Sequence, residues 1–428
     1  MTVAVLVPPA PVLGSKSAVA ACGQEEWLRQ ALLEHASGGR EAGPDSGVKT
    51  TVVKTGSRFY WEGFFVVLPL YFGYASLFGL QHDVKARMGI MDDNSENSQM
   101  FGFAISFLYI FNLLFRFLHG IVFARLSSRG RVFVSMGLMS LAMMLLAKPH
   151  LPDGSVGIAW VMCIYALGGV AVGTFEPNFL SCIAPLGHQA KSNAIQGIPV
   201  GISCVLICGF FVMGPPFWVP VQLLYAGVSC ALLIGMGVVT RLPAPPVADA
   251  AHAPGLRKFA SDLSHYREWL PQTWSYMLMY LLDMFTLAAF SPGVALYIYD
   301  KASVTLAPGV TVATDSFFAG FNTANMFGSL LGRWLSYRID ARHPLIYGVF
   351  LLAGAALMLL RVPLLVPLST FLTMLGDGLI YGTTTRHIDT SVPGDFNLVA
   401  TSCWCLLGDT GAIAGTNLIV FFRSLRYP

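Results

Sequence analysis

Charged side chains stand in the middle of long apolar stretches of this sequence, where charge is expensive: Arg116, Glu176, Asp283, Arg333 and Asp377. A charged group at the centre of a bilayer costs at least ~2.5–3.5 kcal/mol on insertion scales, so it persists where it faces a protein interior or a wet cavity. Guanidinium groups bind carboxylates and phosphates, whereas buried acids can bind amines or protons. The set predicts the lining of a path through a membrane, and purely structural ion pairs are the alternative.

Glu176 lies in the segment Gly168–Cys182, which reads GGVAVGTFEPNFLSC. Pro177 follows the acid directly, and a proline inside a helix removes a hydrogen bond, so we expect the helix to break or kink there. The glycines of the segment would let a neighbouring helix pack closely. An acid beside a kink favours a cavity-lining role over a structural hydrogen bond.

Arg116 and Asn112 are four residues apart, so they share a helix face. Arg116 could hold an anionic group in the path, pair with an acid such as Glu176, or snorkel to the surface. The path is favoured, because snorkelling from the middle of a span is awkward.

Asp283, with Tyr280 on its helical side, could hold a quaternary amine through charge and cation–π contact. Such aromatic stripes are more often ordinary packing.

The remaining candidate acids have weaker signals. Asp377 and Asp409 are each followed closely by glycine within an apolar run, and one of the two is expected to be structural. His82 and Asp83 end the first apolar stretch. They are interpreted either as an entrance group that senses luminal pH or as a polar helix end in the headgroup region.

Composition restricts the class of protein. The 428 residues are 55% hydrophobic and 11% charged, with a mean hydropathy of +0.63, whereas soluble domains are about 25% charged. The chain contains none of the phosphate-binding, hydrolase, zinc-protease or dinucleotide motifs, and no basic aromatic face for nucleic acid. We therefore expect an integral membrane protein that is not an enzyme, with no cofactor, no metal and no nucleic-acid partner.

Eleven apolar segments, each near the ~20 residues that a bilayer requires, divide six and five around a polar loop. This layout resembles the major facilitator fold, whose halves are related repeats. The sequence predicts an all-α polytopic protein with two bundles and 11 transmembrane helices. The predicted parts are a disordered cytosolic N-terminal tail at 1–57, a six-helix bundle at 58–240, a central cytosolic loop at 241–271 and a five-helix bundle at 272–428.

Two further patterns concern repeat and orientation. The stretches GFAISFLYIFNLLFRFL and GFNTANMFGSLLGRWL both begin Gly-Phe and reach an arginine, Arg116 and Arg333, about four turns later. This is a weak internal repeat. Lysine and arginine are concentrated on the side that would also hold the N-terminus, so the N-terminus is predicted to be cytosolic and the C-terminus luminal.

Short motifs spread along both halves resemble the battenin family of lysosomal or vacuolar membrane proteins. They are F-x-Y with a later His-Asp (Phe72, Tyr74, His82, Asp83), G-x-x-E-x-x-F-L-S (173–181), Y-x-x-D-x-F (280–285), A-x-x-F-x-S (324–329), D-G-L-x-x-G (377–382) and D-F-x-x-x-A-T (395–401). The resemblance covers roughly residues 60–422. This chain departs from the family at Leu70 and Tyr71, where the family has paired Asn, and at Asp283 and Asp377, where it favours Glu.

The resemblance implies a secondary transporter with a role in luminal pH homeostasis and in export of glycerophosphodiesters, or of a basic or zwitterionic solute. Arg116 and Arg333 could then hold a phosphate, while Glu176 and Asp283 could hold an amine or a coupling proton. The expected partners are a small solute and membrane lipids, with protons as a candidate coupling ion. The oligomeric state is left open.

Two alternatives stay open. The six-plus-five layout and the stretch ARLSSRGRV also resemble equilibrative nucleoside transporters, although their Asp before Gly-Arg is missing before Gly332-Arg333. The second alternative is a non-transporting membrane scaffold or regulator. In that protein the buried acids would only pair with Arg116 and Arg333.

Overall fold

The computed structural model describes residues 61–90, 96–152, 154–183, 188–213, 219–242, 256–290, 303–339 and 344–424, with Leu186 and Phe217. The predicted N-terminal tail and much of the predicted central loop lie outside these residues. The helices are α1 Trp61–Gly79, α2 Gln81–Arg87, α3 Glu96–Val122, α4 Ser128–Leu146, α5 Gly154–Ile183, α6 His188–Met213, α7 Val221–Val239, α8 Leu256–Ser264, α9 Tyr266–Ala289, α10 Thr314–Ser336, α11 Gly348–Leu359, α12 Val366–Ser391 and α13 Asn397–Ser424.

Eight of the described helical segments are long and apolar enough to cross a membrane, so the chain is a multi-pass integral membrane protein. They fall in α1, α3, α4, α5, α6, α7, α12 and α13. Helix α9 begins with the polar residues Tyr266-Arg267-Glu268, and α11 has only 12 residues. The count of eleven crossings therefore stays a prediction.

One element departs from the predicted helical pattern. The strands β1 (Ser303–Ala307) and β2 (Val310–Ala313) form an antiparallel hairpin between α9 and α10. Gly309 has φ +79° at the turn, a conformation that glycine adopts without a steric penalty. The β-branched residues on both sides of this turn favour extended backbone. The described part of the chain is otherwise helical and includes short 3₁₀ turns at Pro344–Tyr347, Pro363–Leu365 and Gly394–Phe396.

The two halves repeat the same pairing of helices. In the first half α3 packs on α5, α1 on α6 and α4 on α5; in the second half α10 packs on α12, α9 on α13 and α11 on α12. The two halves meet mainly where α6 faces α10 and α3 faces α13. Arg116 and Arg333 therefore lie on equivalent helices, α3 and α10, as expected for repeated bundles.

Glycines bring the charged helices together within each half. A Cβ on Gly173 of α5 would lie 3.1 Å from the carbonyl carbon of Asn112 on α3, and a Cβ on Gly332 of α10 would lie 2.9 Å from the backbone of Gly378 on α12. Only small residues allow such close backbone approach. Helix α5 runs uninterrupted from Gly154 to Ile183, so the chain does not break at Pro177. The alternative, a kink at this position, stays a prediction.

Candidate functional site

Arg116 of α3 bridges the two halves of the protein. Its Nη2 lies 2.7 Å from Oε2 of Glu176 on α5, within the same half. Its Nε donates to Oδ2 of Asp409 on α13, in the other half, at 2.9 Å. The Arg116 side chain is 4% exposed, so both ion pairs are nearly removed from water. One buried cation is thus shared by two acids.

Arg333 occupies the equivalent place on α10. Its Nη2 lies 3.5 Å from Oδ2 of Asp377 on α12. Its Nη1 donates to the Ile195 carbonyl of α6, across the boundary between the halves, at 3.1 Å. Ser329 accepts from Nε of Arg333 and donates to Asp377, both at 3.2 Å. Each arginine therefore binds an acid of its own half and an acceptor of the other half.

Tyr381 of α12 connects the two arginine clusters. Its hydroxyl donates to Oε1 of Glu176 at 2.5 Å, and the Arg333 guanidinium lies over its ring at 4.2 Å. The rings of Tyr280 and Trp404 pack on Tyr381 with centroids 6.1 and 5.0 Å away. This aromatic cluster forms one wall of the site and fixes the position of the Tyr381 hydroxyl.

Asp283 of α9 is fully buried, and neither of its carboxyl oxygens has a donor partner among the described residues. Its carboxyl group meets that of Asp377 at hydrogen-bonding range. Arg333, which pairs with Asp377, is the nearby cation. The second half therefore contains two adjacent acids and one guanidinium.

A cavity of about 180 Å³ lies between the halves and contains most of these groups. It continues from the arginines toward Leu206 and Leu287, near the ends of α6 and α9. The polar and aromatic lining residues are Tyr71, Tyr74, Asn112, Arg116, Glu176, Ser203, Tyr280, Asn325, Ser329, Arg333, Asp377, Tyr381 and Asp409.

The lining has more acid than base. Arg116 and Arg333 supply two positive charges, whereas Glu176, Asp377 and Asp409 supply three carboxyl groups. Asn112 Oδ1 and Nη1 of Arg116 have no hydrogen-bond partner among the described residues. A free acceptor and a free donor therefore lie beside the charged groups of the lining.

A second ion pair connects the two halves. It lies near the start of α6 and the end of α12, away from Leu206 and Leu287, toward which the cavity extends. Lys191 Nζ lies 2.5 Å from Oδ2 of Asp389, and Asn397 donates to the other carboxyl oxygen at 3.3 Å. The Lys191 and Asp389 side chains are 4% and 12% exposed. This ion pair connects the two halves at the end of the molecule where α6 begins and α12 ends.

The structure brings together seven of the residues singled out from sequence: Asn112, Arg116, Glu176, Tyr280, Asp283, Arg333 and Asp377. Asp283 is not among the residues that line the cavity, but it contacts Asp377, which is. His82 and Asp83 lie on the short helix α2, and Asp83 is not among the residues that line the cavity. Asp377 and Asp409, one of which is expected to be structural, both line the cavity, where Asp409 contacts Arg116. Sequence reasoning missed Tyr381, Lys191 and Asp389.

Solved structures with this architecture are numerous. The proton:xylose symporter XylE matches with a TM-score of 0.63 at 14% identity, covering 86% of this chain and 90% of that one. The transporter FucP in its outward conformation matches with a TM-score of 0.58 at 16% identity, covering 86% and 93%. The fold is that of the major facilitator superfamily. The human organic anion transporter MFSD10 also matches, with a TM-score of 0.57 at 14% identity, covering 84% and 91%.

These identities are low, so the likeness concerns the fold alone. No family model matches the sequence, and no curated protein matches it. The resemblance to battenins and to nucleoside transporters therefore stays a prediction. Function has to be argued from the cavity.

Proposed function

We propose that the protein is a secondary transporter that moves a small polar solute through the cavity between its two halves. One observation carries the proposal: buried ion pairs and hydrogen bonds link the halves through the cavity lining, from Arg116 to Asp409 and from Tyr381 to Glu176. In this superfamily fold, the halves rock about a central site to expose it to each side in turn. Charged bonds across that boundary can be made in one arrangement and broken in another.

The charge of the cavity favours a basic or zwitterionic solute over a simple anion. Glu176 and Asp409 already neutralise Arg116, and Asp377 lies against Arg333. A phosphodiester would have to displace a carboxylate from one of these arginines. An amine instead meets the excess acid and the tyrosine rings of the lining, which bind cations on their faces.

The proposed setting is a lysosomal or vacuolar membrane, with a role in luminal pH homeostasis. The battenin-like motifs support this compartment, and the bias of positive charge supports a cytosolic N-terminus and a luminal C-terminus. In that orientation Lys191 and Asp389 lie on the cytosolic side. The cavity then extends toward the lumen, and the structure corresponds to a lumen-facing arrangement.

Two measurements test the proposed function. The first is metabolite profiling of the organelle with and without the protein, where a solute class should accumulate in its absence. The second is uptake by proteoliposomes of labelled arginine, choline, glycerophosphocholine and adenosine. Uptake of the basic or zwitterionic probes supports the proposal, and uptake of adenosine alone would favour the nucleoside alternative. A non-transporting regulator would take up none of the four.

The cytosolic-side pair provides a test of alternating access. Replacing Lys191 with alanine removes the ion pair to Asp389 and should favour the arrangement that opens this end of the molecule. A coupling of about 1–3 kcal/mol corresponds to a population change of roughly 5- to 150-fold. The measurement is the labelling rate of an Ile198→Cys reporter by a membrane-impermeant thiol reagent added from the Lys191 side, in a background without native cysteines.

The exchanged pair Lys191→Asp with Asp389→Lys is the matched control, because it restores an ion pair of opposite polarity. It should return the labelling rate toward that of the parent protein. A rate that does not respond to Lys191→Ala would contradict the assignment of this pair as a closure of the cavity.

A further inference from the structure

Asp283 differs from every other acid of the central site. Glu176 and Asp409 each contact Arg116, and Asp377 contacts Arg333 and Ser329. Asp283 has no exposed surface and no donor partner among the described residues. Desolvation strongly disfavours an ionised carboxylate without a partner in such surroundings.

The groups that face Asp283 leave one negative charge uncompensated. Among the described residues, the charged side chains that interact with Asp283 are Asp377 of α12 and Arg333 of α10. From α13, Gly408 and Gly411 pack on α9, while Asp409 points to Arg116. Two carboxyl groups thus share one guanidinium. Two carboxylates that share a site do not both ionise readily.

We infer that Asp283 and Asp377 form a proton-binding pair that holds one proton between them, with Asp283 as the donor and Asp377 as the acceptor. The proton turns the unpartnered carboxylate into a hydroxyl donor, and the Asp377 oxygen that it meets is the acceptor that the site otherwise lacks. Arg333 then balances the single charge that remains on the pair. The arrangement gives the Asp283 hydroxyl an acceptor and balances the charge of the pair without a second cation.

The consequence of this proton-binding pair for transport rests on the proposed function. A cationic group of a solute beside Asp377 would supply the missing positive charge, so the pair would release its proton on binding. The proton and the solute would then compete for the same two carboxyls. Such competition couples solute movement in one direction to proton movement in the other.

Infrared difference spectroscopy detects the proton without any solute. At neutral pH the full-length protein in nanodiscs should show the C=O stretching band of a protonated carboxylic acid. Asp283→Asn should remove it, because Asp377 is then left with Arg333 alone. Asp377→Asn should remove it too, because the freed Arg333 can then pair with Asp283. Asp409→Asn is the matched control and should retain the band.

The result that overturns the inference is a band that is absent from the parent protein or that survives in either variant of the pair. Loss in only one variant would place the proton on one residue and likewise contradict a shared site. Asp283→Glu keeps the acid and should retain a shifted band, which distinguishes loss of the proton from loss of the fold. Uptake of the four probes is measured separately, so a failed transport assay leaves the infrared result intact.

Discussion

Arg116→Ala is expected to destabilise the protein by about 3–5 kcal/mol, the usual cost of removing one partner of a buried ion pair. The loss leaves both Glu176 and Asp409 buried without a cation, and it cuts the bond from α3 to the other half of the molecule. The measurement is thermal unfolding of the full-length protein in detergent, together with the amount that reaches the membrane. Arg241→Ala is the matched control, because Arg241 is exposed. Its substitution should change stability little.

A neutralised pair separates folding from transport. Arg116→Gln combined with Glu176→Gln removes one buried charge of each sign, so it should recover part of the stability lost in Arg116→Ala, whereas Asp409 is still left without its cation. If the two residues serve transport, uptake should still fail in this double variant. Full uptake would instead show that these two charges only hold the helices together and take no part in transport.

The sequence located the charged residues of the site because charge in an apolar stretch is conspicuous. Arg116, Glu176 and Asp283 stand out for that reason, and their order along the chain placed them at similar depth. Tyr381 gave no comparable signal, since tyrosine is common in apolar helices. The Ile195 carbonyl that accepts from Arg333 has no signal at all, because every residue has a carbonyl.

The pairing of Lys191 with Asp389 was hidden for another reason. Both residues lie near helix ends, where charge is inexpensive and usually solvated. Their burial depends on the two halves meeting at that end, which no local pattern encodes. The two-half architecture itself was predictable from the spacing of the apolar segments.

The β-hairpin illustrates a signal that was present but unused. The stretch SVTLAPGVTVA has β-branched residues on both sides of Pro-Gly, which is a recognised hairpin pattern. It lies between two apolar helices, where a connecting loop was the simpler expectation. The helix through Pro177 is the opposite case, because surrounding helices hold α5 together despite the missing backbone donor.

Glu176→Gln is expected to reduce uptake by about 10- to 100-fold while the protein still reaches its membrane. Glu176 receives a charge-assisted bond from Arg116 and a hydroxyl bond from Tyr381 in the other half. Charge-assisted hydrogen bonds are worth about 1.5–3 kcal/mol, and each 1.4 kcal/mol corresponds to about tenfold. Asp409 still pairs with Arg116 in the variant, so the fold should survive. The measurement is uptake by proteoliposomes of whichever probe the parent protein transports, across a series of luminal pH values.

Two control variants identify which property of Glu176 matters. Tyr381→Phe removes the hydroxyl bond between the halves but keeps every charge, so its effect on uptake should be smaller. Glu268→Gln neutralises an exposed acid of α9 and should leave uptake unchanged. If Glu176→Gln transported normally at every pH, the carboxylate would be a structural partner of Arg116 only. The binding site of the solute and of its coupled proton would then be expected at Asp283 and Asp377, because the charges of these remaining acids are not fully balanced by a cation.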